Sequence, residues 1–164
     1  RVEGYAVNFV GKYDIQPGDS LVVVSNSGIN PVPIEVALTG KAMGATVVAV
    51  TSVMYSQQVQ SRHSSGQNLY EVADIVLDTM VPKGDAVVEI PGLGWKVSPV
   101  STLISVAMLN AVVAQTAQNL AASGQRPPVF ISANVPEGDA HNQQVVEQYW
   151  RRLTFYPLRK IQSG

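Results

Sequence analysis

Two sets of residues in this sequence can do chemistry: a short loop suited to an anion, and three side chains able to carry a proton. The loop is Ser25-Asn26-Ser27-Gly28-Ile29-Asn30, which follows the apolar run Leu21–Val24. Small hydroxyl, amide and glycine residues permit a tight backbone turn there. Hydroxyls, together with free N–H groups where a helix begins, favour a bound anion. The loop holds no lysine and does not read Gly-x-x-x-x-Gly-Lys-Ser/Thr, and a dinucleotide Gly-x-Gly-x-x-Gly is absent. The expected ligand is thus a phosphate held mainly by hydroxyls and main-chain N–H groups. The proton carriers are His141, His63 and Glu35. An imidazole titrates in the range that acid–base chemistry needs. A carboxylate on the first turn of the helix after the loop is favoured by the helix dipole, although Glu35 there can equally face solvent or a salt partner.

Other chemistries are excluded by residue type. The chain has no cysteine, so disulfides, thiolate nucleophiles and thiolate metal sites are ruled out. Its two histidines are far apart, without His-Glu-x-x-His or a carboxylate cluster at ligand spacing, so no metal and no other cofactor is expected. Ser25 and Ser27 lack the Gly-x-Ser-x-Gly setting of a nucleophilic serine. A net charge of -1 with 14% charged residues favours neither nucleic acid nor an anionic membrane surface. Neither a signal peptide nor an apolar run near 18 residues is expected from the sequence.

The elements that must position these groups follow from pattern. Leu21–Val24 suits a strand buried on both faces. A helix is expected from about Pro33 to Met43, stopped by Gly44, and Thr46–Val50 is the next strand. Strands joined by a helix are parallel with a right-handed crossover. The Ser25–Asn30 loop and Thr51-Ser52 therefore share the carboxyl edge of the sheet, where α/β folds bind ligands. Upstream, Tyr5, Ala6, Phe9, Val10 and Tyr13 form a helical stripe that ends in the turn Asp14–Asp19.

Tyr55–Asn68 is polar and reads as a long loop or loose helix able to cover the ligand site, with Arg62, His63, Ser64 and Ser65 its notable groups. Leu69–Ala73 reads as a helical turn, Asp74–Asp78 as a strand with Asp78 a turn residue. Ala86–Ile90 and Trp95–Val97 are strand fragments, either an antiparallel excursion or a dimer contact. Ser101 or Thr102 caps the longest expected helix, Ser101–Ala122, which is apolar around so much of its circumference that deep burial is expected. Pro128–Ser132 reads as a last sheet strand and His141–Leu153 as a last helix, with Arg151, Arg152, Arg159 and Lys160 solvated. The predicted class is α/β: a three-layer α/β/α sandwich, Rossmann-like, around a mostly parallel sheet.

The combination resembles a known family. SNSGINPVPIEVALTGKAMGATVVAVTS is similar to a βαβ unit of SIS (sugar isomerase) domains, and most similar to the UPF0309 group, whose members are labelled phosphoheptose isomerases. SRHSSGQNLYEVADIVLD, PVSTLISVAMLNAV, and PPVFISAN followed by His141-Asn142 fit the same group. The resemblance implies a phosphosugar isomerase of the aldose–ketose type, which shuttles a proton between C1 and C2 of its substrate. It implies substrate binding by Ser25, Asn26, Ser27, Gly28, Asn30, Thr51, Ser52, Ser64, Ser65, Ser101 and Thr102, with His141, His63 or Glu35 as the catalytic group. It further implies a cytoplasmic protein, a homodimer or higher homo-oligomer with sites completed by a neighbouring subunit, and no membrane or nucleic-acid partner. A non-catalytic sugar-phosphate sensor and a dimerisation module with a degenerate site are the alternatives, the second opposed by the intact loop. SIS domains carry helices and a first strand ahead of such a unit. Residues 1–164 are therefore expected to be a single SIS domain lacking that portion.

Overall fold

The computed structural model describes residues 2–152. The chain divides into two compact units, residues 1–111 and 112–164.

The first unit is built on three parallel strands, β1 (Ser20–Val24), β2 (Thr46–Thr51) and β3 (Ile75–Asp78), in the order β1-β2-β3. Val22 pairs with Val48 and Val50 with Leu77, so the carboxyl ends of all three strands lie at one edge. Helix α2 (Pro31–Ala42) makes the crossover between β1 and β2. It begins at Pro31, two residues before the expected start, because first-turn N–H groups have no helical partner and proline costs nothing there. Gly40 lies inside this helix because a Cβ would collide with Leu21 Cδ2; the missing side chain lets helix and strand touch. Val23, Ile34, Ala37, Val47, Ala49, Leu69 and Val72 form the core between α2, the sheet and the short helix α4 (Leu69–Val72). Burying the valine, isoleucine and leucine side chains among them is worth about 1.5–3 kcal/mol each. On the opposite face Val22 and Val24 are exposed.

Helix α1 (Tyr5–Val10) packs on α2, with Tyr5 and Phe9 rings 5.6 Å apart. Its first N–H groups are met by α2: the buried Glu35 carboxylate accepts from Gly4 N–H and from Ala6 N–H at 3.1 Å. Glu35 therefore faces neither solvent nor a salt partner. Between β2 and β3 the chain forms α3 (Val53–Ser56), a tight loop and α4. After β3 comes an antiparallel hairpin of β4 (Ala86–Glu89) and β5 (Lys96–Pro99), the first of the two alternatives for this stretch.

Helix α5 (Ser101–Ala122) has the expected bounds but not the expected burial. Ser105 is its buried residue, while Leu103 and Val113 are 71% and 61% exposed. Its apolar residues are spread around the helix, and a helix without one concentrated stripe is not drawn onto a core by a single face. The helix is also long and apolar enough, by length and composition alone, to cross a membrane. The expectation of no such stretch missed it, since Ser, Thr, Asn and Gln interrupt any continuous run.

In the second unit α6 (Gly138–Tyr149) is followed by a 3-10 turn at Trp150–Arg152. The expected strand Pro128–Ser132 joins no sheet among the described residues. Side chains of α6 take the place of a neighbouring strand. Asn142 accepts from Ile131 N–H (2.9 Å) and donates to Ile131 O (2.8 Å), and His141 Nε2 donates to Val129 O (2.8 Å). The expected helix began at His141 and ran to Leu153; Leu153, Arg159 and Lys160 lie outside the described residues.

Candidate anion-binding site

The Ser25–Asn30 loop leaves β1 while still on the ladder, with Ser25 N–H donating to Val50 O (3.0 Å). Its next four carbonyls are all claimed from one side. Asn26 O accepts from Ser52 N–H (2.9 Å) and the Thr51 hydroxyl (3.2 Å), and Ser27 O from the Ser56 hydroxyl (2.6 Å). Gly28 O accepts from Leu69 N–H (2.8 Å) and Ile29 O from Arg62 N–H (2.9 Å). In a planar trans peptide the N–H points away from the preceding carbonyl. The N–H groups of Ser27, Gly28, Ile29 and Asn30 are thus turned to the other side, and among the described residues none has a protein acceptor. Successive N–H groups aimed one way form an anion-binding concavity. Unpaired donors on buried residues such as Gly28 and Ile29 cost free energy unless a partner arrives.

Gly28 makes the turn possible. Its φ is +63°, and a Cβ there would lie 2.9 Å from Thr51 Oγ1 and 3.2 Å from both Ser56 Oγ and Leu69 Cβ. Helix α2 itself adds little to the anion site, because Pro31 and Pro33 carry no N–H. The donors are therefore those of the loop, not of the helix terminus. Among the described residues the Ser25 and Ser27 hydroxyls have no hydrogen-bond partner, and both residues are half-buried.

Next to the loop lies a cavity of about 230 Å³, lined by Ser25 and Asn26 on one side and by Ser101, Thr102 and Ser105 of α5 on the other. Val24, Val106 and Leu109 give it an apolar wall. The structure thus brings together Ser25, Asn26, Ser101 and Thr102, which separate motifs in the sequence had suggested. Asn26 Oδ1 is buried there without a partner.

The α5 end of the cavity is electrostatically different. Asp85 Oδ1 accepts from Val100 N–H (3.0 Å) and Ser101 N–H (2.7 Å), and Oδ2 from the Ser101 hydroxyl (2.6 Å). Burial pushes the Asp85 carboxyl up, but the bonds from the Ser101 hydroxyl and the two N–H groups outweigh it and hold the group below its ordinary range. Asp85, not Ser101 or Thr102, therefore caps α5, and no motif in the sequence marked it.

Several expected ligand groups are committed elsewhere. Thr51 and Ser52 are fully buried. Thr51 donates to Asn26 O and Ser52 to Val81 O (2.6 Å), while Ser52 also caps α3. They brace the loop from behind instead of facing a ligand, because they lie on the β2 side of the turn. Ser64 N–H donates to Glu3 Oε1 (2.6 Å), and Ser65 Oγ is 2.7 Å from His63 Nδ1. Hydrogen bonds from Ser64, side-chain first, hold the Glu3 carboxyl below its usual range. The segment Tyr55–Asn68 is tied internally, with Ser61 donating to Gln67 O (2.7 Å) and Gly66 N–H to His63 O (2.9 Å).

Of the three proton carriers, none lines the cavity. Glu35 is spent on α1. His141 belongs to the second unit, where Nε2 meets Val129 O and Nδ1 lies 3.3 Å from Arg126. His63 sits in the tied loop. Among the described residues no group of three or more His, Asp or Glu could hold a metal ion. Sequence reasoning missed Ser56, whose buried hydroxyl holds Ser27 O; a serine within a polar stretch gives no signal of its own.

Residues 1–52 match the family model described as SIS domain. The chain is 44% identical over 153 residues to a UPF0309 protein of Geobacillus kaustophilus, covering 93% of this chain and 61% of that one. It is 40% identical over 158 residues to one from Halalkalibacterium halodurans (96% and 63%) and 41% identical over 153 residues to one from Listeria monocytogenes serotype 4b (93% and 62%). The chain spans about three fifths of the length of these curated relatives. Residues 1–52 of this chain are thus similar to the SIS domain family, and nearly its whole length is similar to the UPF0309 proteins.

Proposed function

We propose that this chain binds a phosphorylated sugar, with the phosphate on the N–H groups of Ser27–Asn30 and the hydroxyls of Ser25 and Ser27. The observation that carries it is the commitment of four consecutive carbonyls to one side, which leaves four donors on the other. The sugar extends into the neighbouring cavity, where Thr102 and Asn26 offer hydrogen bonds and Val24, Val106 and Leu109 an apolar surface. The activity we propose is aldose–ketose isomerisation of that sugar phosphate. The SIS-domain match and the UPF0309 relatives support it.

A non-catalytic sensor is the second reading, favoured by a cavity lining that holds no carboxylate or imidazole among the described residues. Catalysis needs a base within reach of C1 and C2. In the isomerase reading it comes from His141 or His63 of a second copy in a homodimer, whose contact we place on the exposed α5. Cytoplasmic location, the three-layer sandwich and the absence of nucleic-acid and membrane partners belong to the same proposal and rest on the family resemblance.

A thermal-shift panel of sugar phosphates against their unphosphorylated sugars tests binding, since a ligand that binds only the folded state raises Tm. The phosphorylated members should raise Tm and the free sugars should not; equal behaviour of the two sets would defeat the proposal. Any stabilising sugar phosphate is then assayed for conversion between aldose and ketose, and bound but unconverted ligand selects the sensor.

A further inference from the structure

The Ser25–Asn30 loop contains no charged side chain, yet a phosphate monoester carries close to two negative charges at neutral pH. One cation is fastened to the loop. Arg62 reaches it twice, through its main-chain N–H to Ile29 O (2.9 Å) and through Nη1 to Asn30 Oδ1 (3.1 Å). A guanidinium has five N–H donors, so most of its capacity remains after the Asn30 bond. Other described cations are engaged differently: Lys41 with Asp74 (2.7 Å) and Lys96 with Glu89 (3.1 Å). Among the described residues no carboxylate lies within ion-pair distance of Arg62.

The turn that delivers Arg62 is set by its own bonds. Ser61 Oγ donates to Gln67 O and accepts from His63 N–H (3.2 Å), gripping the residues on either side of Arg62. Asn30, for its part, makes no side-chain cap on α2; its carbonyl-type oxygen is given to Arg62 instead. A helix entry of this kind usually spends the Asn side chain on the first-turn N–H groups. Here Pro33 has removed one such N–H, which frees the Asn30 amide for the guanidinium.

We propose that Arg62 is the specificity-determining residue of this loop, its guanidinium supplying the charge that selects a doubly ionised phosphate and Asn30 holding it in place. The inference rests on the phosphate reading above. It assigns Asn30 to Arg62, not to the ligand, and it makes the polar segment after β2 a fixed part of the anion site.

The test is titration of the whole chain with inorganic phosphate, followed through the amide signals of Ser27–Asn30, in the wild type, Arg62→Gln, Arg62→Lys and Ser27→Ala. Substituting the Arg62 side chain leaves the main-chain bond to Ile29 O in place, so the loop keeps its backbone support. Arg62→Gln should bind phosphate about tenfold more weakly or worse, and its affinity should respond less to added salt. Arg62→Lys should recover much of the affinity and the salt response, without the planar fork. If Arg62→Gln matches the wild type while Ser27→Ala is weakened, the role of Arg62 falls and the loop reading survives. If Arg62→Lys is no better than Arg62→Gln, the side chain acts by shape alone and the proposal is overturned. A wild type whose loop signals ignore phosphate would remove the phosphate reading itself.

Discussion

Two polar chain ends meet the same cavity, and they are wired in opposite senses. At the end of β1 the carbonyls of Asn26, Ser27, Gly28 and Ile29 are occupied, and the following N–H groups have no acceptor among the described residues. At the start of α5 the N–H groups of Val100 and Ser101 are occupied, by a carboxylate belonging to the protein. Both places would pass as helix-entry anion sites by residue type, since each offers serine beside a helix start. The difference teaches that an anion site is defined by where the backbone's partners already are. Asp85 has taken the position that an anion would seek at α5, and its charge repels a second one. At the end of β1 no carboxylate among the described residues takes that position.

The largest effect should come from closing the free end. Gly28→Val adds atoms where even a Cβ meets Thr51 Oγ1 at 2.9 Å, on a backbone at φ +63° that β-branched residues strongly disfavour. Phosphate binding should be abolished and Tm lowered; a variant that folds and binds as well as the wild type would break the contrast.

A smaller effect should follow from loosening the back of the loop. Ser56→Ala removes the 2.6 Å bond to Ser27 O in a fully buried setting, at a cost of about 1–3 kcal/mol measured by denaturant unfolding. The freed carbonyl no longer fixes the Gly28 N–H, so phosphate affinity should fall as well. Retained affinity at reduced stability would separate the brace from the binding.

The mildest change acts at the other end. Asp85→Asn keeps the shape of the α5 cap and removes its charge, so stability should drop by roughly 0.5–2 kcal/mol. Phosphate affinity at the Ser27–Asn30 loop should rise slightly as a nearby negative charge disappears. Acid should act in the same direction on the wild type. Because the folded Asp85 carboxyl lies below its ordinary range, its contribution is complete at neutral pH. It is lost as pH falls through that lowered value, and Asp85→Asn should flatten this part of the unfolding profile. A variant with an unchanged acid limb would show that Asp85 does not cap α5.

Much of the first unit was readable because local pattern and tertiary role coincide there. Leu21–Val24, Ser25–Asn30 and Thr46–Val50 sit where strand, loop and strand were expected, and Ser25 and Ser101, from two separate motifs, line one cavity. The direction of side chains was less readable. Thr51 and Ser52 share the ligand edge of the sheet, yet their hydroxyls turn inward to Asn26 O and Val81 O. Glu35 lies one turn from the loop but on the face that meets α1. Such choices depend on chain segments 25 to 31 residues away, which no local window contains. The extended Pro128–Ser132 segment has strand-like composition, and only the structure reveals that Asn142 and His141 fill its hydrogen-bonding edge. Helix α5 misled for a related reason, since apolar content does not say whether anything is available to cover it.

The most direct measurement of the central claim is amide chemical-shift mapping of the wild-type chain during titration with inorganic phosphate. The N–H signals of Ser27, Gly28, Ile29 and Asn30 should move together and saturate, while those of Val100 and Ser101, already held by Asp85, stay in place. Movement at Val100 and Ser101 with a silent Ser27–Asn30 loop would contradict the account.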